Sequence, residues 1–315
     1  MQSASREGGP SWYPGVMHSA AVMVIGNFDG VHTGHQAVMA EALAQARREN
    51  ARLVAFTFDP HPQEVVAGRP VAKLCSLTRR IELLKRAGAD EVFVQPFTAE
   101  FARTEPLDFA RLLAERSATC VYVGENFRFG RERSGSGADL AAFGQRLGFQ
   151  VCTTRLFGAA DAPVSSSRIR QSLLAGDVNA ASVMLGRPHR LAGVVHRGDG
   201  WGRGFGFPTA NLAEYVELLP EHGVYAVVAT LAGGRRLHGV LNVGVRPTVG
   251  GTSLRVEAHL LDAEIDLYDQ PLAIDFVQRL RAEQRFASID ELKGQIARDV
   301  ISARAAFAQI GTLSP

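Results

Sequence analysis

Short apolar runs alternate with stretches of helical periodicity along the first half of the chain. The runs are continuous, which is typical of strands buried on both faces of a parallel sheet. We predict such strands over residues 21–25, 53–58, 92–94, 120–123 and 149–153. We predict helices over residues 35–48, 78–87, 107–116 and 140–147. This order predicts an α/β fold in which helices cover both faces of the sheet.

The pattern changes near residue 185, beyond which strands follow one another with few helices between them. We predict these strands over residues 191–196, 224–231, 237–243, 254–261 and 272–276. Residues 256–260 alternate apolar and polar side chains, so one face of that strand should be buried. The spacing favours an antiparallel barrel or sandwich, followed by a last helix over residues 289–307. We therefore predict a loose tail over residues 1–18 and two domains, 19–186 and 187–315.

Composition and charge limit what the chain can do. The 315 residues favour two domains, and 46% hydrophobic with 21% charged residues is ordinary for a globular enzyme. The net charge of +2 gives no overall attraction to nucleic acid or anionic membranes. No apolar run reaches the roughly 20 residues of a transmembrane helix. Cys75, Cys120 and Cys152 are too widely spaced for a zinc motif or a disulfide framework, so we expect a cytoplasmic location.

The first candidate site follows the first predicted strand, where a glycine-containing segment leads into a helix. In open parallel sheets, ligands bind at the carboxyl ends of strands, beside helix N-termini that attract anions. His32 and His35 flank Gly34 at this helix start, and their N–H groups can contact phosphate oxygens. They would stabilise the charge that grows while an α-phosphate is attacked and pyrophosphate leaves. The pattern predicts nucleotidyl transfer from ATP.

Two further segments support this site. Ser166, Ser167 and Arg170 open a later helix, where hydroxyl and guanidinium groups suit phosphate and a leaving group. The alternative is an ordinary serine N-cap with a solvated arginine. Asp59 and His61 follow the second strand and alternate with prolines, which predicts a rigid loop where a substrate pocket should form.

The second candidate site begins with a basic, glycine-rich segment over residues 196–206, whose backbone N–H groups would surround phosphates. Thr209 and Asn211 follow, and offer oxygen ligands that Mg²⁺ takes when nucleotide phosphates supply the rest. A kinase acting on an alcohol benefits from a carboxylate, and Glu257 interrupts a predicted strand. A glutamate on the wet face of that strand is the alternative. The chain lacks Gly-x-x-x-x-Gly-Lys-Ser/Thr, which disfavours a P-loop kinase.

These segments resemble the bacterial bifunctional riboflavin kinase/FAD synthetase family. Its adenylyltransferase half is similar to residues 26–36, 56–62, 123–130, 165–170 and 185–188, in family order. The resemblance implies a Rossmann-like nucleotidyltransferase domain with His32, His35 and Arg170 as catalytic residues. The other implied ATP contacts are Gly26, Asn27, Phe28, Asp29, Gly34, Ser166 and Ser167, and the implied flavin contacts are Asp59, His61 and Asn126. Ser167 stands where the family usually has threonine, which keeps a hydroxyl.

The riboflavin kinase half of the family is similar to residues 206–212, 242–248, 256–262, 267–268 and 276–286. The resemblance implies a barrel in which Glu257 removes the proton of the riboflavin 5′-hydroxyl. It implies Mg²⁺ ligation by Thr209 and Asn211, and flavin contacts from Arg285 and Phe286. The implied nucleotide contacts are Gly202, Arg203, Gly206, Pro208 and Asn242. The departures are Gly204-Phe205, where Thr-Leu is usual, and Asp269, where glycine is common.

The leading hypothesis is a bifunctional enzyme of flavin cofactor synthesis. The barrel would convert riboflavin and ATP to FMN and ADP, and the sheet domain would convert FMN and ATP to FAD and pyrophosphate, with Mg²⁺ at both steps. The expected partners are these small molecules, with neither nucleic acid nor membrane, and a homo-oligomer stays open. One rival is a single-function riboflavin kinase whose N-terminal domain is inactive or regulatory. The other rivals are a flavin carrier or regulator without catalysis, and a nucleic-acid-binding barrel.

Overall fold

The computed structural model describes residues 20–154, 158–159, 162–197, 207–248, 251–263 and 265–310 of the chain. None of the helices in these ranges is both long enough and apolar enough to cross a membrane. The first half contains β1 (Ala21–Ile25), α1 (Thr33–Arg48), β2 (Arg52–Asp59), α2 (Pro62–Ala67), α3 (Leu77–Arg86), β3 (Glu91–Pro96), α4 (Pro106–Glu115), β4 (Ala118–Gly124), β5 (Arg128–Phe129), β6 (Gly135–Ser136), α5 (Gly137–Leu147), β7 (Gln150–Thr154), β8 (Gly158–Ala159), β9 (Ala162–Pro163), α6 (Ser166–Leu174) and α7 (Val178–Leu185).

Five of these strands form a parallel sheet in the order β3-β2-β1-β4-β7, which confirms the predicted sheet. Side chains alternate between its faces. Met23 packs into a core with Leu113 of α4 and Leu140 of α5, whereas Val24 packs into a core with Met39 of α1. Helices therefore cover both faces, as predicted.

The strand order places the site. The chain runs from β1 outward to β2 and β3, and later returns to place β4 on the other side of β1. Loops that leave β1 and β4 therefore diverge to opposite sides of the sheet, which opens a crevice at their carboxyl ends. The segment after β1, with its two histidines, lies at this crevice.

The second half contains β10 (Arg190–His196), β11 (Ala210–Ala213), β12 (Gly223–Leu231), β13 (Arg236–Thr248), β14 (Gly251–Leu260), β15 (Pro271–Arg281) and α8 (Ile289–Ile310). The six strands form a closed barrel in the order β10-β11-β14-β13-β12-β15. The predicted choice between barrel and sandwich is thus resolved, because β10 pairs with both β11 and β15 and leaves no open edge. Val256, Ala258 and Leu260 are buried, which confirms the predicted buried face.

Several elements differ from the sequence-based prediction. The Asp59–Pro62 segment was predicted as a rigid loop, but Pro62 begins α2, which a reciprocal cap between His61 and Glu64 stabilises. β13 and β14 pair from Gly239 to Thr248, so this hairpin extends beyond the predicted strands. α2, α7 and β11 were not predicted. Short elements of this kind carry too few periodic positions to be recognised.

Two helices of the first half pack against the second half. Ile169 and Leu173 of α6 and Leu185 of α7 share one apolar core with Tyr225 and Phe276 of the barrel. A main-chain hydrogen bond from Glu221 N to Leu173 O, 2.9 Å long, adds a polar contact. The helix that carries Ser166 and Arg170 is therefore supported by the barrel. The domain boundary at residues 186 and 187 stays a prediction.

His189 links this boundary to the barrel and makes folding sensitive to acid. Its side chain is 1% exposed, and its ring stacks on Phe276 with centroids 5.9 Å apart. Its Nε2 donates to Leu218 O at 2.7 Å, while the buried Nδ1 has no partner among the described residues. Burial lowers the pKa of His189 from 6.5 to about 4.

The fold therefore favours neutral His189, so its contribution is fully present above pH 6.5 and is lost as the pH falls through about 4. We expect the free energy of unfolding in urea to fall over this window, with about 3 kcal/mol attributable to His189. A His189→Gln variant keeps a donor for Leu218 O and cannot titrate. As the pH falls from 6.5 to about 4, the free energy of unfolding of this variant should therefore decrease by about 3 kcal/mol less than that of the parent. An unchanged pH dependence would contradict the assignment.

Candidate active sites

The segment after β1 is held in an uncommon backbone conformation. Phe28 and Val31 have φ angles of 51° and 38°, and Gly30 has 79°. Such angles are rare for non-glycine residues and occur where surrounding structure fixes them. The Phe28 ring is buried, and a Cβ on Gly26 would lie 3.2 Å from it. Because Gly26 has no Cβ, the Phe28 ring can fold back under the segment. The residues after Phe28 then turn toward α1.

The paired histidines stand at the start of α1. His32 is the N-cap residue, and its Nδ1 accepts a hydrogen bond from the backbone N–H of His35 at 3.4 Å. The two rings stack with centroids 3.7 Å apart, and Phe28 meets the His35 ring edge-on at 5.2 Å. Gly34, which separates the two histidines in the sequence together with Thr33, is buried in the first turn of α1. The pair is thus a rigid unit at a helix N-terminus.

Both histidines are uncharged at neutral pH. Burial, and secondarily the nearby Arg187 guanidinium, lower the pKa of His32 from 6.5 to about 4. Burial lowers the pKa of His35 well below 6.5, and His32 lowers it further. Because His32 Nδ1 accepts a hydrogen bond, its ring proton lies on Nε2. His32 therefore offers a phosphate one N–H donor and no positive charge.

Asp29 connects this segment to α6. Its carboxylate pairs with the Arg170 guanidinium at 2.5 Å, and its other oxygen accepts from Leu74 N at 2.9 Å. The Ser166 hydroxyl donates to Asp29 O at 2.9 Å. The structure thus brings Asp29 to Ser166 and Arg170, which follow it by 137 and 141 residues. Ser167, the next predicted ATP contact, is exposed on the first turn of α6.

The predicted flavin contacts occupy the ends of β2 and β4. His61 caps α2, and its Nε2 lies 3.2 Å from Asn27 Nδ2. Asp59 ends β2 and forms an ion pair with Arg80 at 3.2 Å. Asn126 is exposed in the turn after β4. Since β2 and β4 flank β1, these residues border both sides of the histidine segment.

Buried Arg80 and half-buried Arg187 support the histidine segment, and sequence reasoning assigned a role to neither. Arg80 donates to Asn27 O at 2.8 Å as well as to Asp59. Arg187 donates to the carbonyls of Gly30 and Val31. Burial lowers the pKa of Arg187 to about 10, which leaves it charged at neutral pH. Arg80 stands in an ordinary helical pattern, and Arg187 was noted only as part of the family-like segment 185–188. Neither pattern reveals a contact so distant in sequence.

The second candidate site is defined by strand register on the barrel. Asn211 of β11 pairs directly with Glu257 of β14, and Glu257 pairs directly with Asn242 of β13. Directly paired residues project from the same face, about 5 Å apart. The three residues therefore form a polar row across three neighbouring strands.

This row lies on the outer face of the barrel. Val256 and Ala258, on either side of Glu257, point into the barrel core, while the Glu257 side chain is 30% exposed. Its carboxylate lies 3.5 Å from the Arg255 guanidinium. Glu257 can thus be reached by a substrate hydroxyl and is held at a defined place. The alternative from sequence, a glutamate on the solvent-exposed face of its strand, is right about the position of Glu257. It does not account for the asparagines that are paired with Glu257 on the neighbouring strands.

A cavity of about 460 Å³ is lined by inward-facing barrel residues that include Val195, Ala258 and Leu260. Pro208 and Thr209 line it together with Leu260, Leu267 and Tyr268. The Arg197 guanidinium lies over the Tyr268 ring, 5.1 Å from its centroid. A wall that combines apolar and aromatic side chains with the Asp266 carboxylate, and a cation stacked on Tyr268, suits a planar base. Gly202, Arg203 and Gly206, the other predicted nucleotide contacts, lie outside the described residues.

The segment after β15 carries Arg285, which is exposed, and Phe286, which is half-buried. Arg281 lies over the Phe286 ring at 5.9 Å, and it also forms a bidentate ion pair with buried Asp299 of α8. The α8 helix thereby fixes the start of this segment. Glu283 reaches back to the barrel, where a Cβ on Gly244 would lie 1.8 Å from Glu283 Oε1.

Replacing Gly244 by alanine should therefore displace the Glu283 carboxylate. Glu283 Oε1 is the end of a flexible, exposed side chain that can move aside, and changes at exposed positions are usually worth no more than about 0.5 kcal/mol. We therefore expect the KM for riboflavin to rise by only about twofold while FAD formation from FMN is unchanged. Steady-state kinetics of the two reactions check this. In a Glu283→Ala background the clash is absent, so Gly244→Ala should add nothing further. An equal effect in both backgrounds would contradict the explanation.

The two candidate sites lie on separate parts of the fold, one on the parallel sheet and one on the barrel, as in a transferase with two reaction centres. Family profiles divide the chain in the same way. The FAD synthetase profile matches residues 16–168, and the riboflavin kinase profile matches residues 185–307.

Curated relatives extend this similarity along the chain. The bifunctional riboflavin kinase/FMN adenylyltransferase of Escherichia coli (strain K12) is 38% identical over 289 residues, covering 91% of this chain and 92% of that protein. The protein of the same description from Haemophilus influenzae is 37% identical, covering 90% and 94%. This chain belongs to the bifunctional riboflavin kinase/FMN adenylyltransferase family. The resemblance predicted from its motifs is confirmed, and so is the prediction that it is an enzyme.

A solved structure shows the same architecture across both halves. It is described as a macrolide-efflux protein from Streptococcus pneumoniae, and it is 28% identical with a TM-score of 0.83. The match covers 92% of this chain and 95% of that chain. The arrangement of sheet and barrel is therefore shared by a second protein.

Proposed function

We propose that this chain makes FAD from riboflavin in two ATP-dependent transfers at two separate sites. The observation that carries the proposal is that each half of the chain presents its own set of reactive groups. His32, His35, Asp29 and Arg170 meet at the carboxyl ends of the sheet strands. Glu257 lies in a polar row on the barrel. A flavin carrier without catalysis has no need of either arrangement.

At the transfer site, a phosphate oxygen of FMN attacks the α-phosphorus of ATP, and the bond to pyrophosphate breaks. This chemistry needs alignment and neutralisation of growing negative charge more than it needs a nucleophile on the protein. The His32 N–H and the N-terminus of α1 would donate to oxygens of the α-phosphate, and His35 would act beside them. Arg170 is held by Asp29 close to the same edge, where it would bind the leaving pyrophosphate.

At the kinase site, the 5′-hydroxyl oxygen of riboflavin attacks the γ-phosphorus of ATP, and ADP leaves. Glu257 would accept the hydroxyl proton. Asn242 and Asn211 flank it in register and would orient the phosphate and the hydroxyl. The nucleotide base would occupy the cavity beside Tyr268, while Phe286 would contact the flavin ring.

Mg²⁺ would enter the kinase site with the nucleotide. The described residues contain no cluster of three or more His, Cys, Asp or Glu side chains that could hold a metal ion. Thr209 and Asn211 supply two neutral oxygens, which fits an ion whose other ligands are phosphates and water. Such an ion would neutralise charge on the β- and γ-phosphates.

The three cysteines of the chain are free, which fits a reducing cytoplasm.

Incubation of the purified chain with riboflavin, ATP and Mg²⁺ tests the proposal. We expect FMN to form first and FAD to follow, both resolved by chromatography. A separate reaction with FMN and ATP should release pyrophosphate. If FMN forms but this second reaction yields neither FAD nor pyrophosphate, the chain is a single-function riboflavin kinase. If neither product forms, the proposal is wrong.

A further inference from the structure

We propose that Glu217, a residue of the kinase half, is a positioning residue for adenylyl transfer in the other half. The inference rests on the proposed function and assigns part of the transfer site to the barrel. Glu217 lies in the connection between β11 and β12. It is 5% exposed, although carboxylates are almost never buried without partners.

Its two oxygens hold backbone groups from both halves. Oε1 accepts from Ser76 N at 3.1 Å in the first half. Oε2 accepts from Ala192 N at 3.4 Å and Val216 N at 3.3 Å in the second half. Beside it, Leu218 N donates to Lys73 O at 2.7 Å. Glu217 thus fastens the segment over residues 72–76 to the barrel.

The same segment holds the phosphate end of the transfer site. Ala72 O accepts from Arg170 Nε at 2.6 Å, and Leu74 N donates to Asp29 Oδ1 at 2.9 Å. Cys75 Sγ accepts from Gly30 N at 3.3 Å. Asp29, Gly30 and Arg170 are therefore all tied to the segment that Glu217 anchors.

Ser76 extends the effect to a second contact. Its hydroxyl accepts from Arg79 N at 3.4 Å and caps α3. The next residue of that helix, Arg80, donates to Asn27 O at 2.8 Å. Movement of Ser76 would therefore shift both ends of the histidine segment. Without the carboxylate, the N–H group of half-buried Ser76 loses its acceptor, which favours such movement.

The test compares Glu217→Ala and Glu217→Gln with Glu214→Ala. Glu214 is an exposed acid on the same connection that pairs with His196 of the barrel, so it is a matched control. We expect Glu217→Ala to lower kcat/KM for ATP in FAD formation about tenfold or more, since displacement of about 1 Å can cost up to a hundredfold. The KM for FMN in that reaction and the rate of riboflavin phosphorylation should stay within about twofold of the parent.

Glu217→Gln keeps the side-chain volume and one acceptor oxygen, so its activity should lie between those of the parent and Glu217→Ala. Hydrogen exchange gives a readout that does not depend on the reaction. Amides of residues 72–76 and 29–31 should exchange faster in Glu217→Ala than in Glu214→Ala. Unchanged exchange together with parent kcat/KM for ATP would overturn the inference, and so would equal loss of both activities. Absence of FAD formation in the parent would instead reject the proposed function, while the exchange result still decides the role of Glu217.

Discussion

Replacement of His32 or His35 by alanine is expected to lower FAD formation from FMN and ATP by about a hundredfold or more, because each loss of one donor to a developing oxyanion costs about 3–4 kcal/mol. Formation of FMN from riboflavin should be unchanged, since the kinase groups lie on the barrel. Separate assays of the two reactions check this. An equal loss of both activities would contradict the two-site arrangement.

The control for this prediction separates chemistry from helix capping. His32 caps α1 through Nδ1, so His32→Ala also removes a cap worth about 1 kcal/mol. Asparagine is a preferred N-cap residue but lacks the ring Nε2–H. His32→Asn should therefore unfold at nearly the parent urea concentration and still lose FAD formation. Parent-level FAD formation in this variant would reduce His32 to a structural role.

Replacement of Glu257 by glutamine is expected to lower riboflavin phosphorylation by roughly 10²–10⁴-fold, the usual contribution of a positioned general base. Glutamine keeps the shape and the place in the row between Asn211 and Asn242, but it cannot accept the hydroxyl proton. FAD formation from supplied FMN should be unaffected. Measurement of kcat for each reaction in the same preparation checks the prediction.

Asp262→Asn provides the matched control for Glu257. Asp262 is an exposed acid just beyond β14, and it pairs with Arg304 of α8 at 2.8 Å. Asp262→Asn therefore removes one negative charge close to β14, as Glu257→Gln does, but it leaves the polar row unchanged. Parent-level phosphorylation by Glu257→Gln would refute the assignment of the base. A loss in Asp262→Asn equal to that in Glu257→Gln would show that charge near the barrel, and not Glu257 itself, matters.

The sheet site could be predicted because its parts are close in sequence. A strand, a glycine-containing turn and a helix start follow one another from residue 21 to 35, and the carboxyl end of a parallel strand is where ligands bind. The place of His32 and His35 follows from this order alone. Their stacking and their lowered pKa values do not, since the rings are brought together and buried only in the fold, and the charge of distant Arg187 further lowers the pKa of His32.

The barrel site was less accessible from the sequence. Alternation around Glu257 predicted a half-buried strand correctly, but it could not say which strands lie beside β14. The row of Asn211, Glu257 and Asn242 exists only because β14 pairs with β11 on one side and β13 on the other. Likewise, a side chain at position 244 would meet Glu283, a residue 39 positions later in the chain.

The sequence by itself determined the parallel α/β first half, the strand-rich second half, the family, and most candidate groups. Hydrophobic periodicity and short motifs involve residues that are close in the sequence, so they can be recognised without knowledge of the fold. Only the tertiary structure decided which groups touch: Arg170 with Asp29, Arg187 with the histidine segment, and Glu217 with Ser76. These contacts form when strand pairing and packing bring distant segments together, and no local pattern encodes them. The two ATP sites therefore follow from the sequence, but the support that one half gives the other does not.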